Sequence, residues 1–259
     1  MSIYSGRFGV DIDGTGKLAI DKLMVLEFFH VPSQKSVVFK AMVNSFSDQY
    51  TSEWNSESVY GRMDPISAFQ GTARQISVEW DVVSASISEA QLNMTKCETL
   101  MSMLYPSYSK GGGGDSQTIA SSPVFKFKFG NFAHNVEAGP NSAASDAKTS
   151  GLIGYIGGFT FEPDFESGIV DEDPGIFYPL KLTLSAEFTV LHTHMMGWSA
   201  ENASGGDQMG FGRGGGAGNF PYNARGTAAG AGGGTTDPTS EPAPSGTPGV
   251  DLPLEPTGG

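Results

Sequence analysis

The stretch "LKLTLSAEFTV", Leu180 to Val190, decides the fold of this 259-residue chain, because apolar and polar residues alternate through it without a break. A period of two is typical of a β-strand in an antiparallel sheet that buries one face and leaves the other in water. The residues expected to face the core are Leu180, Leu182, Leu184, Ala186, Phe188 and Val190.

Four other segments carry a strand signal. Val37 to Val43, Ile76 to Val83 and Phe125 to Phe129 alternate in the same way. The stretch "LIGYIGGFTF", Leu152 to Phe161, is also predicted to be a strand, and its glycines indicate a bulge or a close backbone approach. These strands do not alternate with helices, which argues against a doubly wound α/β fold.

One helix is predicted over residues 86–105. Ser86 and Glu89 have the spacing of a capping box, and Pro106 would end the helix. One helical face carries the apolar residues Ala90, Met94, Cys97, Met101 and Leu104. The sequence therefore predicts an α+β fold, a mainly antiparallel β sandwich or barrel with one flanking amphipathic helix.

Composition divides the chain near residue 199. Residues 1–199 contain every predicted element and should form one β domain. Residues 200–259 hold 17 of the 36 glycines and few large apolar side chains. Such a segment cannot bury enough surface to offset the entropy lost on ordering, so we expect an extended Gly/Pro-rich C-terminal tail.

The formal net charge of −13 excludes nucleic-acid binding by bulk electrostatics. Cys97 is the only cysteine, so an internal disulfide and a thiolate metal cage are excluded. The first residues lack the basic and apolar regions of a secretory signal, and no stretch is apolar enough to span a bilayer. We expect a protein made in the cytoplasm that has no membrane partner.

The motif "DIDGT", Asp11 to Thr15, matches the D-x-D-G-T signature of haloacid-dehalogenase-like phosphatases. That chemistry requires the motif at the carboxyl end of a buried parallel strand, whereas the preceding "SGRFGV" is short and interrupted by glycine. His192 and His194 could bind a metal, but no acidic or cysteine ligand lies near them in the sequence. We therefore expect no enzyme activity, no bound metal and no cofactor.

The connection from Ser45 to Ala73 is predicted to be a long docking loop, because a compact domain rarely carries so long a loop without a function. Aromatic anchors lie among small polar residues in it, a composition typical of protein interfaces. The residues expected to dock on a neighbouring subunit are Tyr50, Trp54, Tyr60, Arg62, Asp64, Phe69 and Arg74.

Several stretches resemble structural proteins of contractile phage tails, in particular the tube-initiator and hub-adaptor group. They are "FSDQYTSEWNSESVYGRMDPISAFQGTARQISVEWDV" (46–82), "AQLNMTKCETLMSMLYPSY" (90–108), "SSPVFKFKFGNFAHNV" (121–136) and "YPLKLTLSAEFTVLH" (178–192). The resemblance covers residues 37–198. It departs from the pattern after that, where many relatives carry a LysM-type module and this chain has its Gly/Pro-rich tail.

The resemblance implies a tail-tube β domain, six copies of which form a ring whose inner sheets join into a continuous barrel. It also implies that the 45–73 loop reaches the next ring. The expected function is a structural part of the virion at the junction of the tail tube and the baseplate hub. Its expected partners are other copies of itself and the adjacent tube, hub or baseplate proteins.

A barrel lined with carboxylates would repel DNA phosphates, so DNA could pass during ejection without specific binding. From alternation alone, the acids that could face such a lumen are Glu79, Asp81 and Glu187, with Thr183 beside them. Two other functions stay open at this point. They are a peptidoglycan- or glycan-binding β module and the D-x-D-G-T phosphatase.

Overall fold

The computed structural model describes residues 14–110, 117–138, 142–173, 175–193, 196–199, 210–211 and 220–222. The predictions that concern Asp11, Asp13 and His194 lie outside these residues, as does most of the predicted C-terminal tail. Gly14 and Thr15 of the phosphatase-like motif begin a short helix, α1, Gly14–Asp21.

Eleven strands occur in the described part of the chain. They are β1 (Val25–His30), β2 (Lys35–Lys40), β3 (Val43–Glu57), β4 (Ile66–Val83), β5 (Ser107–Lys110), β6 (Gln117–Ser121), β7 (Phe125–Phe129), β8 (Leu152–Asp173), β9 (Ile176–Val190), β10 (Trp198–Ser199) and β11 (Gly210–Phe211). Seven of them form one sheet in the order β2–β1–β7–β8–β9–β4–β3, while β5 pairs with β6 and β10 with β11. Every pairing among these strands is antiparallel, so the predicted α+β fold with a mainly antiparallel sheet is confirmed.

The seven-stranded sheet curls strongly. Its two edge strands, β2 and β3, follow each other directly in the chain, so the two edges of the sheet must lie close together. Only Ala41 and Met42 separate them. The Ala41 amide donates to the Met24 carbonyl (3.0 Å), and the Met42 carbonyl accepts from the Asp81 amide of β4 (2.9 Å). The single strand predicted over Val37 to Val43 is therefore wrong, because the chain crosses here from one edge of the sheet to the other.

An aromatic core fills the concave face of the curled sheet. Phe28 of β1 stacks on Trp80 of β4 with 5.7 Å between ring centroids, and on Phe127 of β7 at 4.9 Å. All three side chains are fully buried. The predicted core faces from Ile76 to Val82 and from Leu182 to Val190 are confirmed, while Leu180 is only half-buried.

The predicted helix is confirmed as α2, Ile87–Met103, with Ser86 as its N-cap. The Ser86 hydroxyl accepts a hydrogen bond from the Glu89 amide (3.2 Å). The Glu89 carboxylate binds Lys40 of β2 (2.7 Å), which ties the start of the helix to the sheet. The predicted apolar face was partly wrong, because Met94, Met101 and Leu104 are only half-buried, although Met101 and Leu104 pack against the core. The buried residues of the helix are Glu89, Ala90, Asn93, Lys96, Cys97, Leu100 and Met103.

The prediction of a single helix was wrong. Besides α1 and α2, the described residues include a one-turn helix α3, Ala147–Ser150. The Asp146 carboxylate caps it by accepting from the Thr149 amide (2.9 Å). The buried Glu27 carboxylate of β1 accepts from the Ala147 amide (2.8 Å), so α3 is fixed against the sheet by contacts that are distant in sequence.

The predicted docking loop from Ser45 to Ala73 was wrong as to its secondary structure. Most of this segment belongs to β3 and β4, which pair from Glu57 and Ile66 to Val43 and Trp80. The distal half of this hairpin is exposed on both faces, so it lacks the apolar alternation by which a half-buried strand is recognised in a sequence.

The bulge and the close backbone approach predicted at the glycines of β8 are both present. The pairing with β9 shifts register between Ile156 and Gly158, which places a bulge at Gly157. At Gly154, a Cβ would overlap the Thr189 carbonyl oxygen and the Phe188 ring. The backbones of β8 and β9 can therefore approach as they do only because residue 154 has no side chain.

Candidate assembly surfaces

The β3–β4 hairpin projects beyond the rest of the sheet. On the other side of β4, the pairing with β9 ends where Arg74 faces Val190. Residues 66–73 of β4 and their partners in β3 continue as a two-stranded ribbon about 27 Å long, at about 3.4 Å per residue. We call this ribbon, with its tip at residues 58–65, the arm.

The arm exposes large apolar side chains that make few contacts with the rest of the chain. Tyr60 and Met63, in the tip, are essentially fully exposed at 105% and 98%. The exposed rings of Trp54 and Phe69 pair across the ribbon with 5.3 Å between centroids. Arg62 and Asp64 are exposed beside them. Exposed apolar residues concentrated on a projection mark an interaction surface.

The base of the arm is closed by a buried ion pair. Arg74 of β4 donates two hydrogen bonds to Asp48 of β3, Nε to Oδ1 at 3.0 Å and Nη2 to Oδ2 at 2.7 Å. The two side chains are 1% and 2% exposed. The prediction that Arg74 contacts a neighbouring subunit is therefore wrong, because its guanidinium is already used within the chain.

Tyr50 belongs to the same cluster. Its hydroxyl donates to Asp48 (3.1 Å), and its ring lies 5.3 Å from the guanidinium carbon of Arg74. Burial is the main cause that raises the pKa of Tyr50 well above its ordinary value. Since the Tyr50 side chain has partners within the chain and is 41% exposed, only its outer edge is available to a neighbour.

Residues 220–222 cover the same cluster. The Tyr222 hydroxyl donates to Asp48 (3.0 Å), and the Asn131 side chain donates to the Tyr222 carbonyl (3.0 Å). The Phe220 ring centroid lies 5.7 Å from the guanidinium carbon of Arg74. This part of the predicted extended tail is therefore packed against the β domain, which composition could not indicate.

A second projection, which the sequence interpretation missed, lies at the opposite end of the long strands. β8 and β9 continue past the last pairing of β9 with β4, at Lys181 and Val83. Phe177, near its tip, and Phe165, in a bulge at its base, are 56% and 60% exposed. We call residues 162–180 the acidic hairpin. Its signal in the sequence is the group of acids Glu162, Asp164, Glu166, Asp171, Glu172 and Asp173, interrupted by large apolar residues.

The face of β8, β9, β4 and β3 that lies opposite the aromatic core is polar. Glu79 and Asp81 of β4 face Ser185 and Thr183 of β9 across the ladder, and Glu187 faces Ser77. The structure therefore places the three predicted lumen acids on one surface. Burial of the Asp81 carboxyl raises its pKa. Hydrogen bonds from Thr183, Asn44 and Lys181 outweigh this effect, so the pKa of Asp81 lies below its ordinary value.

Two long strand edges have no pairing partner among the residues that the structure describes. β3 is the last strand of the sheet, and its outer edge is open from Val43 to Glu57. β8 pairs with β7 only over Leu152 to Gly154, which leaves one edge open from Tyr155 to Asp173. Open edges of this length are templates for pairing with another chain.

Among the described residues, no group of three His, Cys, Asp or Glu side chains is placed to hold a metal ion, and no helix is long and apolar enough to cross a membrane. The antiparallel sheet also offers no buried parallel strand for the phosphatase-like motif.

A scan of the chain against protein-family models found no match, and a search of curated proteins found none. Function is therefore inferred from the geometry of the arm, the acidic hairpin, the polar face and the open edges.

Proposed function

We propose that this chain is a structural subunit of a contractile phage tail, and that six copies form a ring at the junction of the tail tube and the baseplate hub. In each copy, β8, β9, β4 and β3 form the tail-tube part of the fold. The ring joins these sheets into a barrel through which DNA passes during ejection.

The observation that carries the proposal is the relation between the two open edges. β8 and β3 border the same four-stranded sheet and run antiparallel to each other, because each of the three pairings between them is antiparallel. When copies stand side by side in the same orientation, β3 of one copy meets β8 of the next as an antiparallel pair. Cyclic closure then leaves no open edge in the barrel.

The dimensions agree with a channel for DNA. Four strands from each of six copies, about 4.8 Å apart, give a circumference of roughly 115 Å and a diameter of about 37 Å before strand tilt is included. Barrels of 16–18 strands already leave an aqueous channel, and this barrel of 24 strands would be wider.

The charge of the polar face also supports a channel. The aromatic core and α2 occupy the other face of the sheet, so the polar face is the one that would line the lumen. Its carboxylates include Glu79, Glu162 and Glu187, while Lys181 forms an ion pair with Asp81 (3.2 Å). An acidic lining repels phosphates and prevents DNA from adhering.

The arm would join the ring to its neighbour in the tail. Its aromatic tip has no core of its own and stands clear of the sheet, which suits insertion into an adjacent ring or hub protein. No catalytic role is proposed for any residue of this chain.

Cysteine cross-linking tests the ring directly. The positions Ser45, Ser47 and Gln49 lie on the polar face of β3, and Thr160 and Glu162 lie on that of β8. A variant with one cysteine on each strand would form a disulfide only between copies. Within a copy the two strands are about 14 Å apart, whereas the Cα atoms of a disulfide lie within about 7 Å.

We expect at least one of the six pairings to give a ladder that ends at a reducible hexamer on non-reducing electrophoresis. The native Cys97 should not interfere, because it is buried and burial raises its pKa to about 12. Ser47→Cys combined with Glu98→Cys, on the exposed side of α2, is the matched control. A monomer that shows no ladder in any pairing would refute the ring, and glycan binding by that monomer would favour the carbohydrate-binding alternative.

A further inference from the structure

One face of the arm is aromatic and the other is polar. Along β3, Tyr50 and Trp54 lie on the same face, because successive side chains of a strand alternate between its two faces. Phe69 of β4 reaches that face only because the register shifts by one residue between Glu53 and Trp54. Without this bulge, Phe69 would lie on the opposite face from Arg74. The direction of the arm therefore decides where one exposed aromatic face points.

Residues 220–222, which we call the clasp, contact the arm at its base on this aromatic face. The Phe220 ring packs edge-on against the Tyr50 ring with 6.2 Å between centroids. The Tyr222 hydroxyl donates to the Asp48 carboxylate (3.0 Å). All three residues of the clasp are half-buried. They lie at the point where β4 loses its pairing with β9.

The other side of the clasp is fixed to a different part of the domain. The Asn131 side chain donates to the Tyr222 carbonyl (3.0 Å), and the Phe132 and Tyr222 rings lie 5.9 Å apart between centroids. Asn131 and Phe132 belong to the turn that follows β7, and β7 is not a neighbour of β3 or β4 in the sheet. The clasp is therefore a brace between the arm and the body of the domain.

The Asp48–Arg74 ion pair does not supply the same brace. It joins β3 to β4, the two strands of the arm, so it holds the ribbon together without tying it to the turn after β7. The pair also does not depend on the clasp. When Tyr222 is lost, the Arg74 guanidinium and the Tyr50 hydroxyl still donate to Asp48. Loss of the clasp should consequently leave the domain folded and free only the arm.

The clasp joins the arm late, because its residues are the last of the described residues to be synthesised. Tyr222 and Asp48 are 174 positions apart, and Tyr222 and Asn131 are 91 positions apart. Contacts between residues so distant in sequence form only after a long loop closes. The arm of an incomplete chain therefore lacks its brace.

We propose that the clasp sets the direction of the arm, and that a chain joins its neighbour in the tail only after its clasp has docked. The first part concerns the isolated chain, whereas the second part rests on the proposed function. A change in the clasp can therefore be followed both in the isolated chain and in the assembled particle.

Pulsed EPR measures the direction of the arm as the distance between two spin labels, at Asn55→Cys in the arm and Glu98→Cys on α2. Both positions are exposed, while Cys97 is buried. Dilution in unlabelled chain restricts the measurement to distances within one copy. We expect a narrow distance peak for the wild-type clasp and loss of this peak in Phe220→Ala with Tyr222→Ala. Tyr222→Phe should add a broad component beside the peak, because the lost hydrogen bond has a charged acceptor.

Two controls separate the clasp from general effects on the domain. Gly154→Ala, which places a methyl group against the Thr189 carbonyl oxygen, should lower the melting temperature and keep the narrow peak. Tyr105→Ala, at a 73% exposed aromatic residue outside the arm and the clasp, should change neither. A narrow peak that persists in Phe220→Ala with Tyr222→Ala would refute the clasp, whatever the state of the ring.

Complementation of a virus that lacks this protein tests the second part. Phe220→Ala with Tyr222→Ala should still form hexamers by native mass spectrometry. The yield of infectious particles should fall by about tenfold or more, because only chains with a docked clasp are competent to join their neighbour. A normal yield together with a lost distance peak would refute this dependence. A wild-type chain that forms no hexamer refutes the proposed function, and the distance measurement still decides whether the clasp sets the arm.

Discussion

Arg74 and Asp48 hold the two strands of the arm together at its base, through paired hydrogen bonds of 3.0 and 2.7 Å between side chains that are almost wholly buried. Beyond this pair the ribbon has no third strand beside it. A two-stranded ribbon is only marginally stable in water, so the ion pair, with Tyr50 and Tyr222 bound to it, fixes the direction in which the arm leaves the sheet.

Removing one member of this pair should destabilise the protein strongly. Asp48→Ala leaves a buried guanidinium without its counter-charge, and we expect the free energy of unfolding to fall by about 3–5 kcal/mol. Arg62→Ala, in the exposed tip, should change it by no more than about 0.5 kcal/mol. Urea denaturation followed by tryptophan fluorescence measures both values.

The double variant Asp48→Leu with Arg74→Met separates the loss of the pair from the unpaired charge. Two apolar side chains of similar size should recover most of the stability that Asp48→Ala loses. A double variant as unstable as Asp48→Ala would contradict this explanation.

Two glycines of β8 offer a matched test of close strand packing. Gly154→Ala places a methyl group against the Thr189 carbonyl oxygen, whereas a Cβ at Gly157 meets nothing within 4 Å. We expect Gly154→Ala to cost at least about 1–3 kcal/mol and Gly157→Ala to have little effect or to stabilise slightly. Thermal unfolding of both variants measures the difference, and equal melting temperatures would count against the observed approach of β8 and β9.

The buried His134 predicts a loss of stability in acid. Burial is the main cause that lowers its pKa to about 4. The Lys128 charge lowers it further, and the Asn131 carbonyl partly opposes them without a hydrogen bond of good geometry. The pKa of His134 in the folded protein lies below the ordinary value of about 6.5. Between pH 4 and pH 6.5, the unfolded chain therefore binds more protons than the folded protein. The stabilisation is complete above pH 6.5 and is lost as the pH falls towards 4.

The expected loss is on the order of 3 kcal/mol, at about 1.4 kcal/mol per pH unit. It can be isolated from carboxylate titration by comparison with His134→Gln, which has no imidazole to protonate. Urea denaturation between pH 7 and pH 4 should give a steeper decline for the wild type than for this variant. Parallel declines would mean that His134 is not held neutral in the folded protein.

The sequence predicted strands best where one face is buried. The stretches from Ile76 to Val82 and from Leu182 to Val190 alternate because the aromatic core covers one side of each strand. Residues 49–57 of β3 are exposed on both faces, so nothing in their order distinguishes a strand from a loop. The distal part of the β8–β9 hairpin is not covered by the core either, so its residue order also carries no strand signal.

The candidate surfaces were predictable only as far as they depend on composition. Exposed aromatic residues among small polar ones pointed to the arm, and strand alternation placed Glu79 and Glu187 on the same face. The Asp48–Arg74 pair joins residues 26 positions apart, and Tyr222 reaches Asp48 across 174 positions. Contacts at such separations depend on strand register and tertiary packing, which a single sequence does not reveal.

The tip of the arm supplies the last prediction. Tyr60 and Arg62 are exposed and lie in a turn held by the Arg62 amide, which donates to the Val59 carbonyl (3.2 Å). Tyr60→Ala or Arg62→Ala should therefore leave the melting temperature of the isolated protein within about 1–2 °C of the wild type, since surface changes rarely alter stability by more than about 0.5 kcal/mol.

Under the proposed function, the same variants should fail to join the ring to its neighbour in the tail, because a rigid aromatic anchor and a forked donor are the side chains on which interfaces most depend. Complementation of a virus that lacks this protein measures assembly as infectious particles, and native mass spectrometry checks that the ring itself still forms. Glu98→Ala, at an exposed position on α2, is the matched control. Normal numbers of infectious particles with both tip variants would show that the arm is not a docking element.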